Sequence, residues 1–332
     1  MAKTETLAHH APGLPDGVYL DLPEDQYHAD SALGSTDIRT LRKGANLFWW
    51  KSDMNPKRPV QNDDTPGKVV GRALHALLLE GEDKLKKNFV RRPDDPKDAT
   101  TAEKTAVTKA AKAKLLSHQD LLHAKEWEFI TGCKSIIDDD PDLKGCLDNG
   151  LSEVSVFWTR KDGVRCKARF DKLKLRGIGD IKSIANERER ELGTACRLHI
   201  HTYRIDIQAE HYLEARRQLP ALIKAKKVSQ PNGFAEDNPD DIARLEFLDA
   251  VVAQKDFAFQ LVFLPKQGAP DAWSCVLSPG NPILMTARVD IESAIDFYKL
   301  ALKTYGTKQR WLPRREVSEL AIEEMPAGFG RN

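Results

Sequence analysis

No apolar run in the chain approaches the about 18 residues needed to cross a bilayer, so nothing reads as a membrane span. No C-x-x-C pair occurs among the cysteines Cys133, Cys146, Cys166, Cys196 and Cys275, which argues against a zinc site. No tight cysteine triplet is present either, so a four-cysteine iron–sulfur cluster has no support. An odd number of widely spaced cysteines fits reduced thiols, and with them a cytoplasmic location. The opening MAKTETLAHH lacks the apolar core of a secretion signal. Neither sign of charge dominates: 51 Lys and Arg stand against 50 Asp and Glu, a net charge of +1. Any nucleic-acid binding must therefore come from a local basic surface. No internal repeat is visible.

What is present fits a globular protein: 332 residues, 41% hydrophobic and 30% charged, enough for one large domain or two smaller ones. Residues 1–16 are polar and read as a flexible N-terminus, and 314–332 as a polar tail. Between them lies one expected domain, 17–313, mainly helical over 17–150 and strand-bearing over 151–313. Asp30–Trp50 reads as a helix with Ser35 as N-cap and Ile38 and Leu41 on one face. Phe48, Trp49 and Trp50 are then core aromatics in preference to base-stacking groups. Ser52–Pro66 is a polar loop with Pro56, Pro59 and Pro66. Gly67–Glu80 is apolar almost all round, which predicts a buried helix. On its own terms His75 within it is a hydrogen-bonded core histidine rather than a ligand. Arg91–Lys104 is charged and broken at Pro93 and Pro96. Thr101–Ile137 reads as mostly helical, with Lys104, Lys109, Lys112 and Lys114 forming a basic, solvated face. Asp138–Gly150 is acidic and turn-like.

Strand signals then begin. Leu151–Arg160 alternates β-branched and aromatic residues, and Asp162-Gly163 is a hairpin turn signal. Val164–Asp171 and Gly177–Lys182 follow as two strands around a basic turn. With the hairpin centred between Leu175 and Arg176, Asp171 faces Asp180 and Arg169 faces Lys182. Side-chain alternation puts these four on one face and both Phe170 and Ile181 on the other. Two carboxylates ~5 Å apart repel unless a cation lies between them, and a hard divalent ion resolves that conflict. Lys182, two residues past Asp180, projects an ammonium beside such an ion. Cys196–Leu219 reads as a long helix with Gln208 and Tyr212 one turn apart on the same face. His199-x-His201 has no chelating spacing on a helix and is left as structure or surface. Lys224–Asp241 is a long polar loop, Asp240–Gln254 a helix, and Phe257–Leu264 with Ala272–Leu277 a hairpin. Ala287–Tyr305 closes the fold as a helix with Ile291, Ile295, Phe297, Tyr298 and Leu302 on its apolar face. The resulting fold class is α+β, α/β/α-like, with a mixed sheet of about five strands flanked by helices.

Taken in order, these pieces resemble a known family. Asp171–x8–Asp180–x–Lys182 resembles the PD-(D/E)xK nuclease signature. Gly71-x3-His75-x4-Glu80 is similar to the G-x3-H-x4-E helix of the exodeoxyribonuclease VIII (RecE-type) and lambda-exonuclease-like branch of that superfamily. Ser152-Glu153 to Trp158, Gly163-Val164, Arg169-Phe170-Asp171, Asp180-Ile181-Lys182-Ser183 and the Tyr203-to-Tyr212 segment resemble that branch's later motifs in the same order. The resemblance implies a restriction-endonuclease-like core over roughly residues 18–313. It makes Asp171, Asp180, the Ile181 carbonyl and His75 ligands of Mg²⁺ or Mn²⁺, and Lys182 the group that positions the attacking water. Gln208 and Tyr212 would contact a DNA end or orient the catalytic groups, and Arg169, Ser183 and Arg72 would touch DNA. Glu153 matches a family position, with pairing to Arg169 or Lys167 as its plainer role. Two departures stand out: the Asp171–Asp180 spacing is short, and Phe170 stands where a proline is common. The implied activity is metal-dependent 5′-to-3′ degradation of linear double-stranded DNA in phage-type recombination, by a trimeric or tetrameric ring working with a single-strand annealing protein (RecT-type). A structure-specific or single-strand nuclease of the RecB-like branch, and a non-catalytic DNA-binding adaptor of the same fold, are the alternatives.

Overall fold

The computed structural model describes residues 13–59, 65–186, 188–266, 268–314 and 319–325. The expectations for residues 1–12, for part of the 52–66 loop and for much of the 314–332 tail lie outside the described residues. The first half of the chain carries β1 (Gly17–Tyr19), α1 (Glu24–Ala29), α2 (Ser35–Lys43), α3 (Ala45–Lys51) and α4 (Pro66–His75). α4 runs directly into a π-helical turn, Ala76–Glu80. Then come α5 (Glu82–Asn88), β2 (Phe89–Arg91), α6 (Thr101–Lys112), β3 (Asp120–Leu122), α7 (Ala124–Asp139) and α8 (Pro141–Leu147). The second half carries β4 (Leu151–Thr159), β5 (Arg165–Lys174), β6 (Gly177–Ile184), α9 (Leu192–Tyr203), α10 (Ile205–Lys224), β7 (Val228–Ser229), α11 (Pro239–Ala253), β8 (Ala258–Pro265), β9 (Trp273–Leu277) and α12 (Pro282–Tyr305).

Seven strands form one mixed sheet in the order β7-β1-β4-β5-β6-β8-β9. β1–β7 and β6–β8 are parallel, and the other neighbours are antiparallel. All of the expected strands are there; β1 and β7 are the additions. With three and two residues they show no period, and only the fold joins them, through Val18 N–H to the Lys227 carbonyl (2.8 Å) and Leu20 N–H to Ser229 (2.9 Å). β2 and β3 form a separate parallel pair.

Helices cover both faces, as the apolar pattern of β8 requires. Phe259, Leu261 and Phe263 enter one core, with Ile38 of α2, Leu213 of α10 and Ile291 and Tyr298 of α12. Val262 and Leu264 enter the other, with Leu74 of α4, Ile130 of α7 and Leu143 of α8. A strand buried on both faces is apolar at successive positions, not alternate ones. The chain is thus an α/β/α sandwich.

Several boundaries differ from those expected. Gly44, at φ +136, splits the 30–50 segment into two helices, and Gly34, not Ser35, occupies the N-cap position, its N–H held by Asp37 (2.9 Å). Phe48 and Trp49 are buried, whereas Trp50 is 40% exposed beneath the Arg310 guanidinium. β3 interrupts the 101–137 helix. The 138–150 segment contains α8, whose N–H groups at Asp142 and Leu143 are capped by Asp140. Arg204, at φ +51, separates α9 from α10, and its guanidinium holds Asp206 and Asp290. Phe297 of α12 is 36% exposed rather than part of its buried face. Phe170 and Ile181 are both buried, but in opposite cores, because β5 leaves the regular pleat near Asp171.

His211 sits fully buried in α10, with Nε2 at 2.9 Å from the Lys167 carbonyl and its ring 5.0 Å from Trp158. Burial pushes its pKa down to about 4, so the native imidazole is neutral. The folded value lies below the unfolded one of about 6.5. This contribution is therefore complete above pH ~6.5 and lost as pH falls towards 4. Urea unfolding at pH 7 and pH 4.5 should show wild type losing about 2–3 kcal/mol more than His211→Gln. Equal losses in the two proteins would remove His211 as the source.

Candidate functional site

The β5–β6 hairpin keeps the expected register, pairing Lys172 with Gly179, Leu173 with Ile178 and Lys174 with Gly177. The ladder ends there. Beyond it β6 pairs along its whole length with β8, and β5 stays with β4. Arg169 is consequently no longer opposite Lys182; its ladder partner is Ser155. In the fork between the diverging strands, Asp171 Oδ2 accepts the Ile181 N–H (2.8 Å), replacing a backbone acceptor with a carboxylate. Burial raises the Asp171 pKa, opposed by the Lys182 ammonium and by this hydrogen bond.

Glu153 on β4 lies at φ +55 inside a strand, a conformation that costs a non-glycine residue about 1–3 kcal/mol. The regular pairs Ser152↔Lys172 and Val154↔Phe170 bracket it and Asp171. Val154, Val156 and Trp158 enter the core under α10 and α12, so Glu153 lies on the opposite side of the sheet, the one covered by α4. There His75, Glu153 and Asp171 each offer a ligand atom within 4.8 Å of the others. His75 Nδ1 is 3.9 Å from Asp171 Oδ2. Burial lowers the imidazole's pKa, with Lys182 adding to the effect, which favours the neutral, ligating form. Burial raises the Glu153 carboxyl, as does the charge of Asp171, while Arg169 opposes the rise. Two carboxylates and an imidazole at this separation suit a divalent cation.

Two local features bring His75 here. Gly71, one turn earlier on α4, lets the helix lie on the sheet: a Cβ at that position would be 3.3 Å from Ser183 Oγ. The π-helical turn begins directly after His75. Such turns are rare and recur at functional sites.

Asp180 completes the group from the other side. Its side chain is fully buried, with Oδ1 accepting from Gln208 Nε2 (2.9 Å) and Oδ2 against the Lys182 ammonium. That Oδ2 otherwise has no hydrogen-bond donor among the described residues. Burial raises this carboxyl too, with Asp171 adding to the rise and Lys182 opposing it. Lys182 Nζ also lies 3.4 Å from the Ile181 carbonyl. Tyr212 shares a hydrogen bond with Gln208 and packs edge-on to Phe170 and Phe259, at 5.7 and 6.0 Å.

Two of the proposed DNA contacts, Arg169 and Arg72, are engaged within the protein, and a third, Ser183, lies beneath α4. Arg169 Nε donates to Glu153 (2.6 Å) and Nη2 to the Leu22 carbonyl (2.9 Å), with its guanidinium over the Tyr27 ring. Arg72 pairs with Asp120 (2.8 Å), and Ser183 packs beneath Gly71. Basic surface occurs instead where the sequence reading did not look. A cavity of about 440 Å³ is lined by Arg39, Arg42 and Lys43 of α2, Lys51 of α3, and Tyr203 and Arg204 at the α9–α10 break. Among the described residues no carboxylate lines it, although Asp290 pairs with Arg42 and Arg204, and Asp206 with Arg204. Arg39 donates to the Ser35 and Tyr203 carbonyls and to Thr36 Oγ1, and lies within electrostatic reach of Asp180 and Tyr212. The signal was present as Thr36, Arg39 and Lys43 at helical spacing.

This fold has a counterpart among solved structures: a crystal structure from Eubacterium rectale, described as that of a "putative exonuclease". It covers 93% of this chain and 99% of its own at a TM-score of 0.50, with 14% identity, a likeness of fold alone. No curated protein matches the sequence. A family described as a PDDEXK-like domain of unknown function matches residues 53–231, more than half of the chain, and takes in His75, Glu153, Asp171, Asp180, Lys182, Gln208 and Tyr212. The chain belongs to this family of PDDEXK-like domains of unknown function (DUF3799).

Proposed function

We propose that the protein is a divalent-metal-dependent deoxyribonuclease that hydrolyses phosphodiester bonds at the ends of linear double-stranded DNA, with 5′-to-3′ polarity, in phage-type recombination. The observation that carries this reading is the juxtaposition of two unlike groups. A cation-seeking cluster of His75, Glu153 and Asp171 adjoins the buried Asp180–Lys182 pair. A cavity lined by Arg39 and the exposed Lys43 and Lys51 lies near enough for Arg39 to feel the charge of Asp180, and its lysines suit a polyanion. The "putative exonuclease" of like fold agrees with the reaction class. The RecE-type branch, a ring-shaped trimer or tetramer and a single-strand annealing partner belong to the same proposal and rest on the sequence resemblance.

The attacked phosphate is anionic and its leaving group poor. His75, Glu153 and Asp171, with Asp180 and the Ile181 carbonyl adjoining, would hold Mg²⁺ or Mn²⁺, which would supply charge neutralisation and acidify the attacking water. The chain's own groups do the rest. Lys182 places a cation where negative charge accumulates on the phosphoryl oxygens and orients the incoming water. Gln208 fixes the rotamer of Asp180, and Tyr212 braces Gln208. Arg169 holds Glu153 in its strained conformation instead of contacting DNA.

Calorimetric titration with Mn²⁺ should show one binding event that Glu153→Gln and His75→Ala each weaken at least about tenfold. Arg72→Ala, whose side chain is engaged with Asp120, should leave it unchanged. Absence of metal-dependent heat in wild type would favour the non-catalytic adaptor.

With Mg²⁺ or Mn²⁺, purified protein should release nucleotides from linear duplex DNA and spare closed circles. Asp180→Asn or Lys182→Ala should lower the rate by at least about a hundredfold without changing the circular dichroism spectrum. Linear duplex left intact under both ions would sink the proposal.

A further inference from the structure

The α9–α10 break does more than supply cations. Tyr203 is the last residue of α9, and its large ring is 55% exposed. It lies against the His199 imidazole, with ring centroids 4.3 Å apart and planes inclined at 38°. His199 is in turn backed by buried Phe263, 6.0 Å away edge-on. The left-handed Arg204 ends the helix and Arg39 Nη1 donates to the Tyr203 carbonyl (2.8 Å), so the backbone beneath the ring is fixed at both sides. Burial lowers the His199 pKa to about 4, with Lys182, Lys266 and Arg39 adding to the shift, which leaves a neutral flat ring at neutral pH. The same causes put His199 within reach both of Lys182 and of Arg39 in the basic cavity, which Tyr203 itself lines.

An exposed aromatic supported by a second ring, at a cavity whose exposed Lys43 and Lys51 can meet phosphates, has the composition of a stacking site for single-stranded nucleic acid. We infer that Tyr203, supported by His199, is a nucleobase platform that stacks an unpaired base of the strand whose phosphate lies in the Arg39-lined cavity. A base inside a duplex has both faces covered by its neighbours. The platform therefore requires a frayed or single-stranded terminus, and it makes end-opening a condition for productive binding. This inference rests on the nuclease reading above, but its test does not depend on cleavage.

Binding is measured with Ca²⁺ replacing Mg²⁺, using an oligonucleotide whose unpaired terminal base is 2-aminopurine. Wild type and Tyr203→Phe should quench its fluorescence alike. Tyr203→Ala should lose the quenching and bind about tenfold or more weakly, the size of one base–aromatic stack. A covalently closed circular duplex, which has no unpaired base, should be bound equally by all three proteins. The platform is overturned if Tyr203→Ala quenches and binds like wild type, or if it weakens the closed duplex as much as the open end. Failure of wild type to bind or cleave any DNA would instead bring down the nuclease reading itself, and the platform with it.

Discussion

A carboxylate doing the work of a backbone carbonyl holds the site together. Where β5 and β6 part, Ile181 N–H would lose its partner inside the sheet, and Asp171 Oδ2 takes it at 2.8 Å. An unsatisfied buried N–H costs on the order of 1–3 kcal/mol, so the fork fixes Asp171 firmly while only one of its oxygens is committed. β6 can leave β5 because β8 accepts its full length in parallel, from Gly177↔Ala258 to Ile184↔Pro265. Asp180 and Lys182 then emerge from a strand that is anchored on one edge and open on the other. Without the fork, the hairpin would be a continuous ladder with no room for an ion or a phosphate.

Every layer of the sandwich supplies participants. His75 comes from α4 on one face, Gln208 and Tyr212 from α10 on the other, and Glu153, Asp171 and Asp180 from the sheet between. Close approach of α4 depends on Gly71, whose missing side chain leaves space for Ser183. Concentrating raised-pKa carboxylates in one buried place is unfavourable for an empty fold. Lys182 against Asp180 and Arg169 against Glu153 offset part of that cost. The strain at Glu153 has the same logic: the surrounding pairs over-determine a conformation that the residue alone would avoid.

Charge is distributed to match. The chain is nearly neutral, yet one cavity collects Arg39, Lys43 and Lys51 with no lining carboxylate among the described residues. Other cations are cancelled locally: Arg42 and Arg204 at the same cavity by Asp290 and Asp206, Arg160 by Glu214 and Glu292, and Arg288 and Arg217 by Glu210. Net charge therefore says little about this surface, and local pairing decides which cations are available to a partner.

The sequence by itself determined the hairpin register, since the turn chemistry and period-two alternation around Leu175–Arg176 leave few alternatives. It also determined the helical or extended character of the long segments and the order of His75, Glu153, Asp171, Asp180, Lys182 and Gln208, from which the PDDEXK-like character of the domain is legible. The two edge strands were illegible, because pairs of two or three residues are made by tertiary hydrogen bonds and not by local pattern. So was the division of labour among the acidic residues. Only the tertiary structure decided that Glu153 joins His75 and Asp171 while Asp180 faces Lys182 and Gln208, because the pleat breaks beside Asp171 and leaves the hairpin partners Asp171 and Asp180 on opposite faces of the sheet. It likewise decided that Arg169 braces a carboxylate while Arg39 and Tyr203, far apart in the chain, meet at one cavity. Burial and partner choice are properties of where segments pack, and spacing along one chain does not encode them.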